Sequence, residues 1–475
     1  MTRKEAVVAR VDELQDGEMK QVSVEDTEVL LARVTGKYYA MGVYCTHYGA
    51  PLAEGALSGA HVVCPWHHAC FSVMTGNQEE PPGSDSLPHF AVRVSGEDIL
   101  VSVTNDTPAQ RRPTMVKRDP QTDSRVFAIL GAGAAGGAAV ERLRQVGFQS
   151  RIILITAETR LPYDRTALSK VYLAEDQKNI GSLRDLSFYE QYDVEILMGK
   201  PVARVDTVAQ RIDFVDGDPL PYDTLLVATG GVPRRPNVLG ADLEGVYTLR
   251  TPEDADSIIA AAKPGARGMI IGASFIGMEC AASLRKREAA VTVVAPESVP
   301  FEFTLGKEVG GMYKTLHETH GVTFALGTEV EQIEGKDKVE KVVLRNGREL
   351  SADFAILGVG IRPETEFLRG VARNEDGSVT VDSYLRVEGQ NRALYAAGDI
   401  ETFPDPLSGE PIRIEHWRLA QQHGRVAAAN MAGAEQRFDQ VPFFWTRQYD
   451  QSLKYVGHVR SWDSWSKENS ESTIS

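Results

Sequence analysis

The spacing of apolar residues changes character along the chain. Over residues 1–104, short apolar runs (Val29-Leu30-Leu31, Tyr38-Tyr39-Ala40, His61-Val62-Val63, Ile99 to Val103) alternate with glycine-rich turns. That pattern predicts a small all-β domain. Residues 105–124 carry Pro108, Pro113 and Pro120 without apolar periodicity, which predicts a stiff exposed linker. Beyond it, Val126 to Leu130 is an apolar run ending at Gly131, a helical stretch follows, and Arg151 to Ile155 is apolar again. This is strand–helix–strand, and it recurs at Gly268 to Gly272, Phe275 to Lys286 and Val291 to Val294. Two α/β Rossmann-like nucleotide-binding units are expected. The polar tail Ser466 to Ser475 is expected to fray.

The length of 475 residues accommodates about three domains at roughly 150 residues each. A hydrophobic fraction of 42% and a charged fraction of 25% are ordinary for globular chains. The net charge of −15 argues against nucleic acid and anionic lipid as partners. Four cysteines cannot form a secreted disulfide framework and read as metal ligands or buried thiols. The N-terminus lacks a signal-peptide core, and Val126 to Val140 is too short and glycine-rich to span a bilayer. A cytoplasmic protein without a membrane span is expected.

Cys45-Thr46-His47 and Cys64-Pro65-Trp66-His67 each pair a thiolate with an imidazole. Two Cys on one iron and two His on the other is the ligand set of a Rieske two-iron, two-sulfur cluster. Zinc is the competing reading, but structural zinc sites usually use like pairs, Cys with Cys and His with His. At these residues the chain resembles Rieske proteins of the ferredoxin-like branch. The resemblance implies that the bracing disulfide of quinol-oxidising relatives is absent, its positions being Ala50 and Trp66. Their cluster-directed hydroxyls fall on Ala69 and Phe71, so the potential should lie low in the Rieske range. His68 replaces the usual glycine after the second His ligand and would be strained if that position needs positive φ. Cys70 is expected to be a packed thiol.

Gly131-Ala132-Gly133-Ala134-Ala135-Gly136 lies between a strand and a helix, where backbone N–H groups can approach a pyrophosphate. Glu158 follows about 20 residues on, where an acid binds ribose hydroxyls. Tyr222 to Gly230, containing Thr229 and Gly230, and Leu394 to Asp399, containing Gly398 and Asp399, resemble the flavin-contacting signatures of FAD-dependent pyridine nucleotide oxidoreductases. Pro162 to Lys170, Glu415-His416-Trp417 and Pro442-Phe443-Phe444-Trp445 resemble the ferredoxin-reductase and apoptosis-inducing-factor branch. That resemblance implies FAD contacts from Arg165, Lys170, Asp399 and Trp417, with Trp445 near the isoalloxazine. It also implies that Glu279 pairs with Lys170 beside flavin N5, making Lys170, Glu279 and Trp445 the catalytic candidates.

The second fingerprint, Gly272-Ala273-Ser274-Phe275-Ile276-Gly277, has Ser at the middle glycine, whose Cβ should crowd a pyrophosphate. The position expected to hold a ribose-binding acid is Ala295, with Glu297 two residues late, so NADH against NADPH is open. No Cys pair of a disulfide reductase lies by the flavin signatures. Cys280 is expected in the core, and His317-x-x-His320 is expected on a helix surface.

The expected organisation is a Rieske domain (1–104), a linker (105–124), an FAD-binding domain (125–250 and 371–435), an inserted NAD(P)-binding domain (251–370), and a partial C-terminal domain and tail (436–475). The expected function is an NAD(P)H-dependent reductase passing electrons from nicotinamide to FAD to the cluster and on to an unknown acceptor, protein or small molecule. A redox-sensing, apoptosis-inducing-factor-like binding protein and the reductase component of a Rieske oxygenase system are the alternatives. Because only Ser466 to Ser475 follow Trp465, the C-terminal domain should be incomplete, with a weakly held Trp445, leaky oxidation by oxygen and self-association at a free strand edge.

Overall fold

The computed structural model describes residues 3–104, 106–175, 180–459, 461–462 and 464–466. Most of the tail expected to fray therefore lies outside the described residues. Two compact units divide the chain, one running up to Val116 and the other beginning at Lys117.

The first unit is all-β. A six-stranded antiparallel sheet runs, in spatial order, Arg3–Arg10, Asp98–Thr104, His89–Ser95, Lys37–Gly42, Thr27–Val34 and Met19–Val24. A smaller four-stranded sheet follows chain order through Ala56–Ser58, His61–Val63, Cys70–Ser72 and Gln78–Glu80. Strand Thr27–Val34 is buried on both faces, and strand periodicity divides its side chains between two cores. Val29 and Leu31 pack with Ile99, Val101 and Val103. Leu30, Ala32 and Val34 pack with Met41, Leu52, Phe71, Cys45 and Cys64. The second core thus reaches the loops that carry the mixed Cys/His pairs.

The second unit holds two parallel sheets whose central strands are buried on both faces, as their unbroken apolar runs require. The first is ordered Val194–Leu197, Arg151–Ile155, Val126–Leu130, Thr224–Val227, Leu394–Ala396. The second is ordered Val246–Tyr247, Phe354–Leu357, Arg267–Ile271, Ala290–Ala295, Thr323–Leu326. In each, a central strand ends at a glycine with positive φ, Gly131 (110°) and Gly272 (112°), and a helix follows, Ala134–Gln145 and Phe275–Lys286. Strand Leu394–Ala396 pairs with Thr224–Val227, so the chain returns to the first sheet after completing the second. Helix Trp417–Met431 then packs on Ala134–Gln145 so closely that a Cβ on Gly424 would lie 2.0 Å from the Ala135 carbonyl oxygen.

The proline-rich stretch is largely exposed and has no helix or strand among its described residues, and its backbone is fastened at two points. Arg111 exchanges two 2.7 Å backbone hydrogen bonds with Ser86, and Asp119 N–H donates to the Gln149 carbonyl at 2.7 Å. Prolines removed helix and strand as options without removing backbone partners. His317, expected on a helix surface, is fully buried on helix Glu302–Thr319. It meets a C-terminal hairpin, Phe443–Gln448 paired with Gln451–Val456, whereas His320 is exposed.

Candidate functional site

The loops bearing Cys45/His47 and Cys64/His67 share one backbone plan. Cys45 N–H donates to the Ala50 carbonyl and Cys64 N–H to the Ala69 carbonyl, each at 2.9 Å. Gly49 N–H donates back to Cys45 at 2.9 Å, and His68 N–H back to Cys64 at 3.2 Å. Equivalent positions have left-handed backbone, with φ of 74° at Gly49 and 59° at His68. His68 therefore occupies the place that the first loop gives to glycine.

Both cysteines are buried, and the neighbouring Cys64 thiol, together with burial, pushes the Cys45 thiol above its ordinary range. The imidazoles of His47 and His67 face each other with Nδ1 atoms 3.1 Å apart. Among the described residues, no three His, Cys, Asp or Glu side chains converge on one point. The donors thus come as a sulfur pair and a nitrogen pair, which fits two irons with one pair each and not the four-donor cage of a single zinc. Ala69 and Phe71 are fully buried, and a Cβ on Gly83 would lie 3.1 Å from the tip of the Phe71 ring. The Thr46 hydroxyl donates to the Asp85 carbonyl at 2.8 Å. Cys70, expected to be packed, is only half-buried.

A cavity of about 760 Å³ opens in the second unit. Its wall brings together Gly131, Gly133, Glu158, Arg165, Lys170, Thr229, Gly230, Glu279, Gly398, Asp399, Trp417 and Trp445 from segments far apart in sequence. Glu158 accepts a hydrogen bond from the Tyr163 hydroxyl at 2.8 Å and forms an ion pair with Arg165. Gly136, Gly272 and Gly277 stand back from the wall. A Cβ on Gly136 would lie 1.8 Å from the Gly131 carbonyl oxygen, and one on Gly277 would lie 2.3 Å from that of Gly272, so these glycines seat their helices against the loops. Ser274 has ordinary extended backbone at φ −92°, and its hydroxyl reaches the Gly358 carbonyl at 3.4 Å. The substitution brings no backbone strain.

Lys170 sits in a wide turn, Leu168–Tyr172, where its own backbone is non-helical. Its Nζ lies 2.9 Å from Glu279 Oε2, which also accepts from the Ser169 hydroxyl at 2.5 Å. Glu279 Oε1 accepts from the Thr446 hydroxyl at 2.7 Å. Cys280 next to Glu279 is fully buried in the core, and burial pushes its thiol well up. The Trp445 ring is half-buried and lies 5.0 Å from that of His416 and 6.0 Å from that of Phe443.

Residues 126–424 match the pyridine nucleotide-disulphide oxidoreductase family, and residues 4–91 match the Rieske [2Fe-2S] domain. Apoptosis-inducing factor 3 of Mus musculus is 38% identical over 97% of this chain and 77% of its own length. Rhodocoxin reductase of Rhodococcus erythropolis is 35% identical over 70% of this chain and 78% of its own. Among solved structures, the covalent putidaredoxin reductase–putidaredoxin complex superposes with a TM-score of 0.68 at 29% identity, over 72% of this chain and 84% of that one. The chain belongs to the pyridine nucleotide-disulphide oxidoreductase family and carries a Rieske domain. It is a ferredoxin-reductase-type flavoprotein oxidoreductase whose cofactors are FAD, a nicotinamide dinucleotide and a [2Fe-2S] cluster. No helix among the described residues is long and apolar enough to cross a membrane.

Three wall or near-wall residues escape sequence reading. Arg250 lines the cavity, and burial pushes its guanidinium down, while Asp399, raised by burial, is opposed by Arg250, Arg413 and Arg165. A lone arginine after a strand carries no periodic signal. Ser169 lies within Pro162 to Lys170, whereas Thr446 directly follows Pro442 to Trp445, and strand alternation places it on the face opposite Trp445.

Left-handed backbone costs a non-glycine residue about 1–2 kcal/mol. Glycine costs about 0.4–1 kcal/mol through the unfolded chain. His68→Gly should therefore stabilise the first unit by up to about 1 kcal/mol with its cluster content intact, and Gly49→Ala should destabilise it by a similar amount. Denaturant unfolding followed through the cluster absorbance checks both.

Proposed function

We propose that electrons pass from NADH to FAD in the 760 Å³ cavity, then to the cluster of the first unit, and then to a separate one-electron acceptor. The observation that carries this reading is that one chain holds both the Lys170–Glu279 pair on the cavity wall and a paired two-sulfur, two-nitrogen donor set. Bound FAD supplies the conversion between a two-electron hydride donor and a one-electron carrier. Gly131, Gly133, Glu158, Arg165, Arg250, Thr229, Gly230, Asp399 and Trp417 would hold it. The glycines give backbone N–H groups close access, the arginines complement phosphate, and Glu158 would exchange its Arg165 partner for ribose hydroxyls.

Lys170 is assigned to the reacting end of the cavity, its ammonium held by Glu279 where negative charge grows as hydride arrives. Trp445, braced by His416, covers that end and limits water. The nicotinamide would lie along Gly272 to Gly277. NADH is favoured by Glu297, just past strand Ala290–Ala295, whose buried Oε2 has no partner among the described residues. A carboxylate there suits ribose hydroxyls and repels a 2′-phosphate.

The acceptor is assigned to the class that ferredoxins serve. Relatives include ferredoxin–NAD(+) reductase components of dioxygenase systems. With Ala69 and Phe71 offering no hydroxyl, the cluster's reduced state is weakly stabilised and its potential sits low, suited to such donation. Only four cysteines in 475 residues, two of them assigned to the cluster, suit a reducing cytoplasm. Self-association is assigned to the C-terminal hairpin, which pairs with no third strand among the described residues and where Val456 is exposed.

His67→Ala should abolish iron and acid-labile sulfide while FAD content stays at one per chain, because the sites lie in separate units. Metal analysis of anaerobically purified protein checks this, and stoichiometric zinc in the wild type would refute the cluster. Lys170→Ala should slow flavin reduction by NADH at least tenfold while changing NADH affinity less than threefold, since its charge matters most as hydride transfers. Anaerobic stopped-flow with NADH and NADPH measures both values, and NADPH should be the poorer donor.

A further inference from the structure

A chain of buried polar side chains leads from Glu279 away from the cavity and ends on the helix that flanks the second sheet. Alternation along strand Phe443–Gln448 turns Thr446 and Gln448 to one side and Trp445 to the other. Thr446 donates to Glu279 Oε1 at 2.7 Å, and Gln448 Nε2 donates to the Thr446 hydroxyl at 3.4 Å. Gln448 Oε1 lies 2.6 Å from His317 Nε2, and the Tyr449 hydroxyl lies 3.4 Å from His317 Nδ1. Thr446, Gln448 and His317 are all at most 1% exposed. The Tyr449 ring stacks on His320 at 3.7 Å and closes the outer end.

The direction of this chain follows from its chemistry. Burial pushes His317 down to about 4, so near neutral pH it is an uncharged imidazole with one N–H. With the Gln448 carbonyl at Nε2, that N–H points to Gln448, and Nδ1 is left to accept from Tyr449. The Gln448 amide then faces Thr446, and the Thr446 hydrogen is left for Glu279. Each member donates toward the carboxylate. A glutamine amide does not relay protons readily, so the chain orients Glu279 and does not conduct.

We propose that His317 and Gln448 are positioning residues for hydride transfer, aiming the Thr446 hydroxyl at Glu279 and through it fixing the Lys170 ammonium. This rests on the reading of Lys170 as the residue at the reacting end of the cavity. It makes the C-terminal hairpin a working part of the flavin site and ties the charged pair to the nicotinamide-binding half of the unit.

The test is anaerobic stopped-flow of the FAD-loaded full chain with NADH, separating the limiting flavin-reduction rate from the NADH dissociation constant. Thr446→Val keeps shape and loses the donor, and should lower the limiting rate about five- to twentyfold with the dissociation constant within twofold. Thr446→Ser should restore most of the rate. His317→Phe should slow reduction severalfold, and the double variant Thr446→Val/His317→Phe should be no slower than Thr446→Val alone, since both act through one hydrogen bond. If His317→Phe does not retain FAD, Gln448→Met takes its place in the cycle. Unchanged rates in Thr446→Val and His317→Phe beside a slow Lys170→Ala would overturn the proposal and leave the reading of Lys170 intact. Effects that multiply in the double variant would also overturn it, because they indicate separate packing losses. A normal rate in Lys170→Ala would instead remove the reading on which the proposal stands.

Discussion

Glu279 is a carboxylate with only 5% of its side chain exposed, and much of the second unit is arranged to make that tolerable. A charge taken out of water costs several kcal/mol unless hydrogen bonds and an opposite charge replace its hydration. Here the replacements come from separate stretches of chain. Ser169 and Lys170 come from the turn after the first sheet's second strand, Thr446 comes from the C-terminal hairpin, and Glu279 itself rides on the helix opened by the second fingerprint. If any of the three drifted away, a buried acceptor would be left unpaired, at about 1–3 kcal/mol for a hydrogen bond and more for the charge. The interaction to which the chemistry is assigned therefore also fixes the geometry of the segments around the cavity.

The cluster site rests on a different constraint, duplication. Two loops with matching backbone hydrogen bonds bring two thiols together as one pair and two imidazoles together as another. Each loop needs one left-handed residue to complete its turn. Gly49 adopts that backbone without steric strain, whereas His68 carries strain beside His67. The site tolerates this because Cys45, Cys64, Ala69 and Phe71 belong to one well-packed core, which holds the loops whatever a single φ costs.

Local grammar made much of this legible in the sequence. Strands Val126–Leu130 and Arg151–Ile155 and helix Phe275–Lys286 appear where apolar runs and glycines put them, because parallel strands buried on both faces leave an unmistakable apolar signature. The Cys/His ligand set follows from mixed pairs whose chemistry demands those residue types, whereas the Lys170–Glu279 pairing is implied only by the resemblance to ferredoxin reductases. What sequence did not disclose depends on contacts between distant segments. His317 has the spacing of a surface helix residue, and its burial comes from distant partners, Phe324 and the hairpin residues Gln448 and Tyr449. Arg250 follows a two-residue strand with no pattern around it. The anchoring of the exposed proline-rich stretch to Ser86 and Gln149 is not legible, because backbone hydrogen bonds leave no trace in side-chain composition.

The central claim is an order of events: electrons enter at the flavin and reach the cluster from it. Flavin and Rieske absorption differ enough to be followed separately when NADH is mixed anaerobically with the full chain. The account predicts that flavin bleaching comes first and that cluster reduction follows it, with the cluster phase slowed in step when Lys170→Ala slows the flavin phase. A cluster that stays oxidised after the flavin is fully reduced, or one that NADH reduces at an unchanged rate in Lys170→Ala, would contradict it.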